Sequence, residues 1–104
     1  PKIAPYLCAD FPLVKKDGID EKAREIFEML REKFDIYYEE KDSIGKRYAR
    51  ADEIGTVVCI TCDYQTLKDE TVTLRDRNTT RQIRVSMREL PNILEEILEK
   101  GFPK

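Results

Sequence analysis

At 104 residues, with 40% hydrophobic and 38% charged side chains, the chain is long enough to bury one core and too short for two. No apolar run approaches the roughly 18 residues a membrane span needs, and no signal-peptide pattern opens the chain. Three cysteines and no histidine argue against a closed disulfide framework, favour a reducing compartment, and exclude imidazole acid–base chemistry and the commonest metal ligand.

A non-catalytic binding module is the class that survives these exclusions. The chain begins at Pro1 and not at Met, so a piece of a longer protein is expected.

Ile3 to Pro12 is rich in apolar residues and bounded by prolines, which predicts a buried first strand. Asp17-Gly18 reads as a turn and Asp20 as a helix N-cap, with Glu21 favourably placed in the first turn. Ile19, Ala23, Ile26, Phe27, Leu30 and Phe34 recur at spacings of three and four, one face of an amphipathic helix. Asp35 to Glu39 predicts a short strand with Ile36 and Tyr38 on one side. Ser43 can cap a second helix that ends at Gly55.

Val57 to Cys62 is a continuous β-prone run, apolar on both faces, as in the central strand of a covered sheet. Asp63 to Glu70 reads as a polar connection with one helical turn around Tyr64 to Leu67. In Thr71 to Arg77, Val72 and Leu74 alternate with Thr73, Arg75 and Arg77; in Gln82 to Ser86, Ile83 and Val85 alternate with Gln82, Arg84 and Ser86. Asn78 to Arg81 is a hairpin-length loop between them. Ser86 and Glu89 have capping-box spacing, Pro91 predicts a first turn followed by a restart, and Leu90, Ile93, Leu94, Ile97 and Leu98 form a buried stripe ended by Gly101 and Pro103. The order β-α-β-α-β-(turn)-β-β-α predicts an α/β, three-layer fold: a five-stranded mixed sheet flanked by helices, whose hairpin makes the fourth strand antiparallel.

The formal charge of -2 hides an asymmetry. Residues 17–42 carry five basic and ten acidic side chains, whereas residues 43–88 carry nine basic and six acidic. Such a division can mark a surface that faces a polyanion, and equally a solvated face with chance clustering.

Cys59 and Cys62 have C-x-x-C spacing, but inside a strand they point to opposite faces, and no second pair completes a zinc shell. Two small core residues is the better reading. No glycine-rich phosphate loop is found. Asp52 and Glu53 sit at the C-terminal end of the second helix, where the macrodipole disfavours them by about 0.3–1 kcal/mol each; either they are exposed acids at small cost, or an arginine or a nucleobase donor uses them. Arg75 and Arg77 leave one strand face with Thr73, a donor surface suited to phosphates and base edges, or else an ion-pair ladder with Asp76 or Glu70.

The same segments carry a family resemblance. Ser43-Ile44-Gly45-Lys46-Arg47-Tyr48 followed by Ala51-Asp52-Glu53-Ile54-Gly55-Thr56 resembles the corresponding stretch of class IIa aminoacyl-tRNA synthetase anticodon-binding domains. Ala4-Pro5, Phe11-Pro12-Leu13 and Lys15-Lys16-Asp17-Gly18 look like the opening of the glycyl branch of archaeal or eukaryotic type. Val72-Thr73-Leu74-Arg75-Asp76-Arg77 with Gln82-Ile83-Arg84-Val85 is similar to its hairpin. Where the family usually has proline after Gly-Thr, this chain has Val57, which predicts a less kinked entry into the central strand.

The resemblance implies strand order 2-1-3-4-5 and a domain of residues 1–104, the C-terminal part of a glycine–tRNA ligase, that holds the tRNA anticodon stem-loop. Carried over by position, the RNA-binding residues are Arg47, Asp52, Glu53, Asp63, Arg75 and Arg77, with Phe11, Tyr48 and Tyr64 as stacking platforms. It further implies ATP and Mg in a separate catalytic domain and none here, a homodimeric full-length enzyme, no membrane contact and a cytoplasmic location. A threonyl, prolyl or histidyl anticodon domain, or a related module such as a mitochondrial DNA polymerase accessory subunit, fits the same motifs.

Overall fold

A strand that is apolar on both sides has to lie inside a sheet covered on both faces, and the run from Val58 to Cys62 imposes that condition on this chain. The computed structural model describes residues 7–41 and 43–103. In it this run is β3 (Val58–Cys62), buried at every position. Its neighbours are β1 (Cys8–Pro12), parallel to it, and β4 (Thr71–Asp76), antiparallel to it. The outer strands are β2 (Ile36–Tyr38), parallel to β1, and β5 (Gln82–Ser86), antiparallel to β4. The order is β2-β1-β3-β4-β5 with the fourth strand antiparallel, as the sequence implied. The expected start of the first strand at Ile3 lies outside the described residues.

The chain moves outward from β1 to β2 and then back across β1 to β3. Right-handed crossovers in opposite directions put their helices on opposite faces. Helix α1 (Ile19–Leu30) therefore covers one face and α2 (Ile44–Ile54) the other. The short α3 (Tyr64–Asp69) joins β3 to β4. After β5, a 3₁₀ turn (Met87–Glu89) leads into α4 (Leu90–Lys100), which packs beside α1. The larger core lies between α1, α4 and the sheet: Ile19, Ile26 and Leu30 meet Cys8, Val58, Ile60, Val72, Leu74, Leu90 and Leu94. Fully burying each such side chain contributes about 1.5–3 kcal/mol. The smaller core, under α2, holds Ala9, Phe11, Ala51 and Cys59, with Tyr37, Ile44 and Tyr48 at its margin.

Cys59 belongs to the small core and Cys62 to the large one, so the C-x-x-C pair is split across the sheet. All three cysteines are free and buried.

Several local expectations are corrected. Gly18, not Asp20, is the N-cap of α1: the turn needs a left-handed residue there (φ 88°), and Asp20 falls in the first turn, where it accepts from Arg24. Helix α1 stops at Leu30, yet Phe34 stays buried because its N–H bonds back to the Leu30 carbonyl (3.0 Å). The connection after β3 is a six-residue helix with a true capping box between Asp63 and Thr66. Ser86 makes no capping box; in the tighter 3₁₀ turn its hydroxyl accepts from the Arg88 N–H (3.3 Å) and not from Glu89. Leu98 is 61% exposed, on the outer side of α4, and not part of its buried stripe. Strand β4 ends at Asp76, so Arg77 lies beyond it.

Asp10 is the anomaly of the large core. Strand alternation turns it away from Ala9 and Phe11 toward α1. It is 0% exposed, and among the described residues neither carboxylate oxygen has a hydrogen-bond partner. Burial pushes its carboxyl well above the usual 3.8, so folding favours its neutral form. The unfolded chain ionises it near 3.8 and so binds fewer protons above that pH. The Asp10 contribution therefore makes stability fall as pH rises above 3.8, until the folded-state carboxyl itself ionises, at a limiting slope of about 1.4 kcal/mol per pH unit. Asp10→Asn removes that slope. Denaturant titrations of both proteins between pH 4 and pH 7 should show their stability difference growing in favour of the variant; a constant difference contradicts the assignment.

Candidate nucleic-acid interface

Helix α2 is eleven residues long and packs on β1 and the strands beside it. It leaves the same face of β4 and β5 uncovered. Along β4 the burial alternates, with Val72, Leu74 and Asp76 inward and Thr71, Thr73 and Arg75 on the open side. The pairing places Thr61 opposite Thr73 and Thr73 opposite Arg84. One row further along, Cys59 lies opposite Arg75 and Arg75 opposite Gln82. Two cross-strand rows of hydroxyl, amide and guanidinium groups thus cross a sheet surface walled on one side by α2.

Tyr48 of α2 is the wall. Its hydroxyl is 2.9 Å from Thr61 Oγ1, and its ring meets Phe11 edge-to-face, with centroids 5.6 Å apart and planes at 81°. The Arg75 guanidinium lies over that ring, 4.6 Å from its centroid. Such a cation–π contact contributes about 0.5–2 kcal/mol. Among the described residues, Arg75 has no carboxylate or carbonyl acceptor, so its N–H donors stay open. The Cys59 thiol reports the surroundings: burial pushes it up to about 11, the Arg75 charge lowers it and the Asp52 charge raises it. Arg75 and Asp52 thus act on the same spot. Asp52 and Glu53 are both exposed at the end of α2, where Gly55, at φ 94°, terminates the helix with its N–H on the Ala51 and Asp52 carbonyls.

A second guanidinium on this face is arranged differently. Arg84 of β5 pairs with the Asp63 carboxylate through both terminal nitrogens, and its Nη1 also donates to Thr71 O (3.2 Å) and Thr71 Oγ1 (3.0 Å). Asp63 in turn caps α3, accepting from the Thr66 N–H and hydroxyl at 3.2 Å each. Burial alone would raise its carboxyl, but the bonds from Arg84 and Thr66 outweigh burial and hold it below the ordinary range.

The expected site residues therefore divide. Arg75, Tyr48, Asp52 and Asp63 lie at or beside the open face. Arg77 is exposed beyond the end of β4, and neither it nor Arg75 forms a ladder with Asp76 or Glu70: Asp76 accepts from Thr79 and Glu70 from Lys22. Tyr64 is 44% exposed, with its hydroxyl on Asp17 in the turn before α1 (2.8 Å). Phe11 is 0% exposed and offers no stacking surface, and Arg47 is 3% exposed. The Arg47 guanidinium donates to the carbonyls of Pro12 (2.5 Å), Leu13 (3.2 Å) and Glu39 (3.5 Å) and lies over the Phe11 ring. Thr61, Gln82 and Arg84 were not singled out from the sequence, although the period-two alternation of β5 already turned Gln82 and Arg84 away from the core.

Among the described residues no helix is long and apolar enough to cross a membrane, and no cluster of three or more metal-ligating side chains is arranged to hold an ion.

The family model described as an anticodon binding domain matches residues 9–97. The chain belongs to that family. Among curated proteins this anticodon-binding domain is similar to the glycine–tRNA ligase of Borrelia hermsii, at 50% identity over 90 residues, covering 86% of this chain and 20% of that one. It is similar also to those of Clostridium acetobutylicum (52% over 96 residues; 92% and 20%) and Archaeoglobus fulgidus (50% over 98 residues; 92% and 17%). The chain thus spans about a fifth of the length of the relatives it matches. Among solved structures, the RNA binding domain of threonyl-tRNA synthetase from Cryptosporidium parvum superposes with a TM-score of 0.77 at 21% identity, covering 96% of this chain and 24% of that one. Prolyl-tRNA synthetase from the same organism gives 0.79 at 15% identity, covering 94% and 22%. At these identities the likeness is one of fold.

In the anticodon-binding domain Arg47 is a buried cation that ties together the ends of two strands. Arg47→Met keeps the stem and removes the donors, leaving the carbonyls at the strand ends without their partner. A loss on the order of 3 kcal/mol is expected in urea denaturation. A stability change below about 0.5 kcal/mol shows that the guanidinium is dispensable to the fold.

Proposed function

We propose that this domain holds the anticodon stem-loop of a glycine-accepting tRNA, as part of a longer glycine–tRNA ligase, and that the open face of β3, β4 and β5 is its RNA surface. The observation that carries the reading is Arg75, stacked on Tyr48 with its donors unclaimed. Sequence in RNA is legible mainly where bases are unstacked, and such bases are read by stacking on rings or guanidinium planes and by hydrogen bonds to their edges. A guanidinium already held over a ring loses little freedom on meeting a base. Thr73 and Gln82 stand beside it on the same face and supply hydroxyl and amide groups for base edges.

The glycine assignment rests on the relatives' names and on identity near one half over most of this chain. Activation of glycine with ATP and Mg, homodimer formation and a cytoplasmic setting are carried, on this reading, by the remaining four-fifths of such a ligase. The domain's own part is selection of the tRNA.

Arg75→Ala in the full-length ligase, compared with Arg77→Ala, tests the placement. Arg75→Ala is expected to lower kcat/KM for the cognate tRNA by roughly 1–3 kcal/mol and to have much less effect on a tRNA whose anticodon is already replaced. Arg77→Ala, exposed and off the strand, should weaken both equally and reduce the salt slope by about one unit. If Arg75→Ala charges both tRNAs normally, the open sheet face is not the site.

A further inference from the structure

We propose that Asp63 is a built-in anion for Arg84, closing one of the two guanidiniums on the open sheet face so that the surface discriminates between RNAs instead of gripping any phosphate chain. The inference rests on the reading of this face as the RNA surface and assigns roles within it. Arg75 and Arg84 sit on neighbouring strands, on the same face, with Thr73 directly opposite Arg84. They differ in what they touch. Arg75 has a ring beneath it and, among the described residues, no acceptor. Arg84 already donates to both Asp63 oxygens and to two oxygens of Thr71.

A phosphate would have to displace a bidentate carboxylate to reach Arg84, exchanging one anion for another with little gain. Asp63 is itself hard to move. Its backbone N–H bonds Thr66 Oγ1 at 2.9 Å, and its Oδ1 accepts from the Thr66 N–H and hydroxyl, so moving the carboxylate would also uncap α3. Both partners are partly exposed, at 28% and 21% of their side chains, so they stand at the rim where RNA would pass. Asp63, expected from the family resemblance to contact RNA, is on this view a positioning and screening residue.

The consequence is electrostatic. Non-specific RNA affinity grows with each free cation that can neutralise a phosphate, and so does its dependence on salt. With Arg84 closed, the face keeps an open guanidinium where bases are read and holds the second in reserve.

The test uses the full-length ligase with three variants, binding a glycine-accepting tRNA transcript and the same transcript with its anticodon replaced, over a series of salt concentrations. Asp63→Asn keeps a good helix cap and removes the charge. It is expected to bind both transcripts more tightly, with a salt slope steeper by about one unit and a smaller ratio between the two affinities. Arg84→Gln should leave the slope unchanged. The proposal is overturned if Arg84→Gln flattens the slope by about one unit, since Arg84 then meets phosphate in the complex. It is equally overturned if Asp63→Asn, folded by circular dichroism, binds the cognate transcript more weakly. If Asp63→Asn fails to fold, the Arg84→Gln slope decides alone. Arg75→Ala separates this from the reading beneath it: no change in binding of either transcript there removes the RNA face itself, and this inference with it.

Discussion

The guanidinium of Arg47 is the contact on which the open face depends. It lies at the carboxyl ends of β1 and β2 and donates to the carbonyls of Pro12, Leu13 and Glu39. In open α/β sheets the crevice beyond the strand ends, where the chain turns opposite ways from adjacent strands, is the usual place for a ligand. Here β1 leads outward to β2 while β3 leads the other way to β4, and an internal cation sits beside that point, at the ends of β1 and β2. Charged hydrogen bonds contribute about 1.5–3 kcal/mol each, enough to set how α2 lies on the sheet. The next residue is Tyr48. Its ring position, and hence the stacking of Arg75, follows from where Arg47 is held. A buried arginine thus helps to position the arginine proposed to meet RNA.

The two cores have unequal duties. The large one, between α1, α4 and the sheet, carries most of the burial and tolerates an unpartnered acid at Asp10. The small one has four fully buried members and only one helix above it. Its size is what leaves β4 and β5 bare on that side.

Much of this was legible in the sequence because strand alternation and helix periodicity are local signals. The sheet order came from the family resemblance, while the antiparallel fourth strand and the buried run of β3 followed from pattern alone. What escaped had non-local or fine conformational causes. Gly18 displaced Asp20 as the cap because the turn needs a positive φ, which residue type only hints at. Arg47 was carried over as an RNA-binding residue, and nothing nearby in sequence shows that two strands end above it. Phe11 is likewise covered by Tyr48 and Arg47, both more than thirty residues away. The Asp63–Arg84 pair joins positions 21 apart, and it appears only once β5 is laid beside β4. Arg77 was placed with Arg75 by extending the alternation one residue past the end of the strand.

A net charge of -2 sits awkwardly with RNA binding until the charge is placed on the fold. The acidic segment, residues 17–42, supplies α1 and β2, and α1 lies behind the sheet from the open face. A helix is about 10–12 Å across, so carboxylates on its outer side stand farther from bound RNA than the screening length of about 8 Å at physiological salt. Their repulsion is largely screened there. On the proposed RNA face the guanidiniums of β4 and β5 are on the near side, where screening is weakest. The sheet thus stands between the α1 carboxylates and the open face, and the sign that an approaching phosphate meets is set by the face it approaches, not by the total. With Arg84 held by Asp63 that face is only mildly positive. Such a surface suits a domain that has to tell one anticodon from another more than one that has to hold any RNA tightly.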